Sequence, residues 1–166
     1  MQALIKNVLA LSTIDETIER ETFNLEKAVE NAMSDLEVRI MQTNARINVS
    51  PLPDVLGNEA YLSQLFYNLI SNAIKFSKQN PVVTINGESL EGQVIITVAD
   101  NGIGIPGDKL QDIFNAFTRI HSKTEYEGTG IGLAICKKIV DVHRGTITVA
   151  SQEGIGTTFT IMLPSK

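Results

Sequence analysis

The chain has 166 residues, 43% of them hydrophobic and 20% charged, the balance of one globular domain with its own core. A net charge of −5 disfavours a general nucleic-acid role, which needs basic side chains to neutralise phosphates. No apolar run approaches the ~18–20 residues that span a bilayer. The single cysteine, Cys136, excludes a disulfide within the chain and fits a reducing compartment. Its setting, Ile135-Cys-Lys-Lys-Ile-Val140, makes it a small packing residue. The N-terminus carries Lys6 and no clear small-residue cleavage site, so no signal peptide is expected. A cytoplasmic domain is expected, and a membrane anchor elsewhere in a parent protein is compatible with it.

Residues 1–14 place Leu4, Val8 and Leu11 at helical spacing and begin in mid-pattern, as the tail of a longer helix would. A second amphipathic helix is predicted from about Leu25 to Met41, with Leu25, Ala28, Val29, Ala32, Met33, Leu36 and Ile40 on one face and Asn24 as its N-cap. Ala45–Val49 reads as a strand, and Pro51 and Pro53 as a turn. A helix follows over about Glu59–Ser77. Val82–Asn86 and Val94–Ala99 read as a hairpin with its turn in Glu88–Gly92. A short helix is predicted within Asp108–Phe117, and His121–Thr129 reads as a polar loop. Ile131–His143 is helical and ends at Arg144-Gly145. Thr146–Ala150 and Thr157–Leu163 are strands, the second alternating Phe159, Ile161 and Leu163 with Thr158, Thr160 and Met162. This order predicts an α/β fold with a mixed, mostly antiparallel sheet and helices on one face.

The helix over Glu59–Ser77 carries the most informative pattern. Gln64, Asn68, Asn72 and Lys75 fall within an arc of roughly 60–80°, beside the apolar arc of Leu62, Leu65, Phe66, Leu69, Ala73 and Phe76. Amides are costly to desolvate without partners, so a ligand is expected there. Carboxamide oxygens suit a hard cation such as Mg2+, and a lysine suits its phosphates.

Asp100-Asn-Gly-Ile-Gly-Ile-Pro-Gly107 follows a strand. Its glycines let backbone pass close to a ligand, and the carboxylate could read an exocyclic amine such as that of adenine. An ordinary Asp-Asn-Gly turn fits the same residues equally well. Gly102, Gly104 and Gly107 match the dinucleotide fingerprint by spacing alone. Pro106 stands where the helix of that motif should be running, and the flanking strands lack βαβ spacing. There is no Gly-Lys-Ser/Thr, hence no P-loop. Glu127-Gly-Thr-Gly-Ile-Gly-Leu-Ala134 opens a helix with glycines at 128, 130 and 132, which favours phosphate at the free N–H groups over a simple hinge.

Taken together and in this order, the segments resemble the catalytic ATP-binding domain of sensor histidine kinases, in the superfamily shared with gyrase, heat-shock chaperones and mismatch-repair ATPases. The resemblance covers nearly the whole chain. Asn68, Asn72 and Lys75 resemble the N box, Asp100–Gly104 the first glycine box, Phe114-Asn-Ala-Phe117 the F box, Gly128–Gly132 the second glycine box and Gly154-Ile-Gly-Thr157 the closing motif. It implies a two-layer α/β sandwich of the Bergerat type, with a flexible lid over ATP. It also implies that Asp100 binds the adenine amino group, with Gly102, Gly104, Ile105 and Thr157 among the ATP-binding residues. Asn72, with Asn68, would hold Mg2+, and Lys75 would contact phosphate. Gly128, Thr129, Gly130, Ile131, Gly132 and Leu133 would wrap the triphosphate. Arg119 and Lys123 could reach the γ-phosphate, although Lys123 fits a solvated loop equally. Phe76 borders the adenine pocket or the core, and Phe114 and Phe117 pack the lid base.

The gyrase and chaperone branches place a water-activating glutamate where Asn68 stands. An amide cannot accept a proton at neutral pH, so the site resembles one that holds ATP for an outside nucleophile. Neither His121 nor His143 sits on a long helix with a neighbouring acid, and both are expected in structural or lid roles. Leu9-Ala-Leu-Ser12 is similar to the end of the family's dimerisation and phosphoacceptor helix, which divides the chain into 1–14 and a catalytic domain over 15–166. The implied partners are that phosphoacceptor domain and a response-regulator receiver, with no nucleic acid and no membrane contact by these residues. A serine kinase of the anti-sigma type and a degenerate nucleotide-binding regulatory module are the alternatives.

Overall fold

The structure is a computed structural model that describes residues 2–15, 17–118 and 130–165. Five helices and seven strands are described: α1 Gln2–Thr13, β1 Glu21–Asn24, α2 Leu25–Asp35, α3 Glu37–Thr43, β2 Arg46–Val49, β3 Asp54–Gly57, α4 Glu59–Lys75, β4 Val82–Leu90, β5 Gln93–Asp100, α5 Gly132–Val142, β6 Thr146–Gln152 and β7 Gly156–Pro164. The main sheet has the order β2-β4-β5-β7-β6. Only β2 and β4 pair in parallel; the other three ladders are antiparallel.

Period-two burial explains the layers. Val83 and Ile85, Val94, Ile96 and Val98, and Phe159, Ile161 and Leu163 are buried on one face. Thr84, Thr97, Thr158 and Thr160 take the other. The helices cover the buried face with Leu25, Ala28, Val29, Leu62, Phe66, Leu69, Ile135 and Ile139 in one contiguous core. The two-layer, mixed α/β arrangement agrees with the sequence reading.

Asn24 caps α2, its side chain accepting from the Glu26 N–H at 2.9 Å. The helix expected over Leu25–Met41 is two helices. The chain breaks at Leu36, whose φ of −101° and ψ of 5° leave the helical region although its side chain is buried. Ser34 and Asp35 precede the break, and both compete with helix by local hydrogen bonding. The ribbon of β1 and β3 was not foreseen, because four-residue strands carry little periodic signal. The segment Asp108–Phe117 holds only a 3-10 turn over Gly107–Lys109, followed by irregular turns. The hairpin turn is tighter than expected, reduced to Glu91 and Gly92, both at positive φ, so β4 and β5 run on to Leu90 and Gln93.

Helix α5 ends in a Schellman motif: Gly145 N–H donates to Val140 O and Arg144 N–H to Asp141 O. The left-handed residue is Arg144, at φ 59°. Gly145 is required for another reason. A Cβ there would lie 2.3 Å from Met162 O. Helix α1 rests on α5, with Ala10 and Leu11 against the core and Ile14 buried. Leu11 therefore faces the core, while Leu4, Ile5, Val8 and Leu9 are exposed.

Candidate nucleotide site

Helix α4 is set in place from both ends. Asn58 caps it by accepting from Tyr61 N–H at 3.0 Å, and donates its own N–H to His143 Nε2 at 3.0 Å. The His143 Nδ1–H then donates to Ile139 O at 2.7 Å, which fixes the neutral tautomer. Burial pushes the His143 pKa down, the Ile139 carbonyl opposes that, and the Arg20 charge adds to it. His143 is structural, as expected: it is 3% exposed with both ring nitrogens engaged. Cys136 packs in the same interface, its thiol directed at Leu65 O, and burial pushes its pKa well up. Helices α4 and α5 thus run antiparallel, and the start of α5 at Gly132 meets Asn68.

That meeting brings the amide stripe to a glycine loop. A Cβ on Gly132 would lie 3.7 Å from Asn68 Oδ1. Asn68 Nδ2 is buried, and it has no hydrogen-bond partner among the described residues. An unpaired buried donor costs about 1–3 kcal/mol until something accepts from it. One turn on, Asn72 lines a cleft of about 390 Å³, open mouth included, with Phe76, Asp100, Ile103, Gly104, Ile105, Leu133, Thr157 and Phe159. The walls are mostly apolar, and Asp100 and Asn72 supply the polar groups. Lys75 lies at the last turn of α4 with Nζ 4.8 Å from the centre of the Phe76 ring.

Asp100 ends β5 as its carboxylate receives the N–H of Gly102 at 2.8 Å, with Thr157 as its cross-strand partner. Burial raises its pKa, and the backbone N–H groups of Gly102 and Thr157 oppose the rise. The loop after it is held from two sides. Ile103 N–H donates to Phe76 O at the end of α4, at 2.9 Å. On the other side, Gly154 N–H donates to Ile103 O and Ile105 N–H to Ser151 Oγ, both at 2.8 Å. A Cβ on Gly104 would sit 2.2 Å from Gln152 O, and one on Gly156 would sit 2.0 Å from Asp100 O. The glycines are needed for this close backbone approach.

Of the residues singled out from sequence, Asn72, Asp100, Gly104, Ile105, Leu133 and Thr157 line one cleft. Gly102 is buried beneath it against Phe76 O. Asn68 and Gly132 adjoin it. Gly130 and Ile131 lead into α5, Ile131 fully buried. Arg119, His121, Lys123, Gly128 and Thr129 lie outside the described residues. Phe114 packs edge-on against Phe159 at 6.2 Å. Phe117 does not pack: it is 62% exposed at φ 66°, and its contribution is a backbone N–H to Gly130 O at 2.8 Å. Ser151 was missed. Only the neighbouring Glu153-Gly-Ile-Gly156 turn marked its position in the sequence.

Residues 57–166 match the family model for the histidine kinase-, DNA gyrase B-, and HSP90-like ATPases. Cyanobacterial phytochrome A of Nostoc sp. is 48% identical over 99% of this chain, which spans 22% of that relative's length. The catalytic domain of histidine kinase ThkA superposes with a TM-score of 0.77 at 28% identity, covering 89% of this chain and 97% of that one. Full-length ShkA in complex with AMPPNP superposes with a TM-score of 0.82 at 26% identity, covering 97% of this chain and 35% of that one. The chain belongs to the histidine kinase-, DNA gyrase B- and HSP90-like family of ATP-binding domains.

Proposed function

We propose that this chain is the catalytic domain of a sensor histidine kinase. It binds Mg-ATP and donates the γ-phosphoryl group to a histidine on a separate dimerisation domain. From there the group passes to an aspartate of a response-regulator receiver. Residues 15–166 form the catalytic unit, and α1 is the end of the dimerisation helix. The observation that carries the reading is Asn68: a half-buried carboxamide whose buried Nδ2 has no partner among the described residues, beside Asn72 and the start of α5, where a hydrolytic site would need a carboxylate. The ShkA complex with AMPPNP supports a triphosphate ligand, and the phytochrome relative supports a phytochrome-type parent.

The donor set fits Mg2+. Among the described residues no three His, Cys, Asp or Glu side chains gather to cage a metal. Amide oxygens at Asn68 and Asn72 suit a hard cation that keeps most of its coordination for water and phosphate. Held there, the ion would neutralise charge on the transferred group. Asp100 reads the base amine, Lys75 approaches phosphate, and the N–H groups leading into α5 wrap the phosphates. Transfer breaks the bond between the γ-phosphorus and the bridging oxygen and forms a phosphorus–nitrogen bond on the acceptor, and ADP leaves. No residue at Asn68 extracts a proton from water, so catalysis consists of positioning and charge neutralisation.

The test mixes this chain with a histidine-bearing helical dimerisation domain and γ-labelled ATP. Acid-labile phosphate on that domain is expected. Acid-stable label on a serine would move the assignment to the anti-sigma type of kinase, and binding without transfer would make the domain a regulatory module. ATP hydrolysis by the chain alone should be very slow.

A further inference from the structure

Ser151, on β6, joins three backbone segments through one hydroxyl. Its Oγ accepts from Ile105 N–H at 2.8 Å, lies 3.0 Å from Gly156 O, and lies 2.8 Å from Thr157 Oγ1. A serine hydroxyl has one proton to give. Given to Gly156 O, it leaves the Ser151 oxygen as an acceptor, and the contact with Thr157 then requires the Thr157 proton. Given instead to Thr157, it leaves two oxygens facing each other at 3.0 Å with no hydrogen between Ser151 and Gly156. The first arrangement satisfies every contact, so the Thr157 hydroxyl is committed as a donor to Ser151. What Thr157 then offers the cleft is lone pairs only.

Thr157 lines the cleft next to Asp100, its cross-strand partner. We propose that Ser151 is a positioning residue for base selection. By holding the Thr157 proton away from the cleft, it makes Thr157 and Asp100 a pair of acceptors. That pair favours a purine with an amino group at C6 over one with a carbonyl there. The inference rests on the nucleotide reading of the cleft and adds a device that sets its preference.

The discriminating measurement is the ratio of ATP to ITP affinity, by calorimetry with Mg2+ on the whole chain, for wild type, Ser151→Ala, Ser151→Thr and Thr157→Val. Wild type should prefer ATP. In Ser151→Ala the Thr157 hydroxyl is free to rotate and donate to the inosine O6, so the ratio should fall about fivefold, the scale of one hydrogen bond. Ser151→Thr keeps the hydroxyl and should restore the ratio. Adding Ser151→Ala to Thr157→Val should change the ratio no further. Thermal unfolding of each variant shows that it is folded. Equal loss of ATP and ITP affinity in Ser151→Ala, or an unchanged ratio, overturns the inference while leaving the nucleotide site standing. Failure of wild type to bind either nucleotide overturns both.

Discussion

The two glycine loops of this domain are built differently. The first, Asp100–Ile105, is held on one side by the Phe76 carbonyl and on the other by Ser151, Gln152 and Gly154 of the β6–β7 hairpin. Its shape is fixed by neighbours distant in sequence, and it forms a rigid wall beside Asp100. Of the second loop the described part begins at Gly130, at φ 73°, where the Phe117 N–H donates to Gly130 O and a Cβ would lie 2.9 Å from the Phe117 and Thr118 backbone. A base is flat and unvarying, so a prebuilt wall suits it. Phosphates are charged and leave during the reaction, so N–H groups at a helix start suit them.

The comparison breaks most severely at Gly104. Gly104→Ala drives a Cβ to 2.2 Å from a backbone oxygen at φ 76°, where a neighbour cannot yield cheaply. A loss of about 1–3 kcal/mol in stability by denaturant titration is expected, together with loss of nucleotide binding by calorimetry. Next is Asp100→Asn, which removes the charge and turns one of the two acceptor oxygens into a donor, and should abolish ATP binding with the fold intact by circular dichroism. Undiminished binding would sink the site assignment.

Asp100 also sharpens the comparison through pH. Its folded pKa is raised above 3.8, so its own contribution to stability is present below that value and lost as pH rises through the folded pKa. Binding runs the other way. ATP affinity should fall as acid protonates the carboxylate, at a higher pH than for an ordinary aspartate, in a titration by calorimetry.

Asn72→Ala should likewise abolish Mg-ATP binding while sparing the wall, and adenosine binding by calorimetry without Mg2+ would read the wall alone. At the far end of α4, His143 has a folded pKa below 6.5. The stability it contributes is present above 6.5 and is lost as pH falls through the lower, folded value. His143→Gln should lower the melting temperature at pH 7 through loss of its buried bonds, and should flatten the fall between pH 7 and 5. The smallest effect is expected at the exposed Lys137–Asp141 pair, one turn apart on α5. Lys137→Ala should shift stability by no more than about 0.5 kcal/mol in denaturant titrations.

Much was legible because it is local. Amide spacing on α4, alternation in β7 and the Asn24 cap each depend on a few neighbouring residues. The errors have tertiary causes. Leu36 is drawn into the core at the cost of helix continuity, and β1 and β3 pair only because the turn through Pro53 brings Asp54 opposite Asn24. Phe117 has the composition of a packing residue, but its backbone is used and its side chain is not.

By itself the sequence determined the domain class, the order of elements and the amide, carboxylate and glycine groups, because residue type and short periods set those. Only the tertiary structure decided that Ser151, more than forty residues beyond Ile105, anchors the first loop, and that His143 holds the cap of α4. Hydrogen bonds across such separations depend on how the sheet and the helices pack, and no local pattern of residues carries that information.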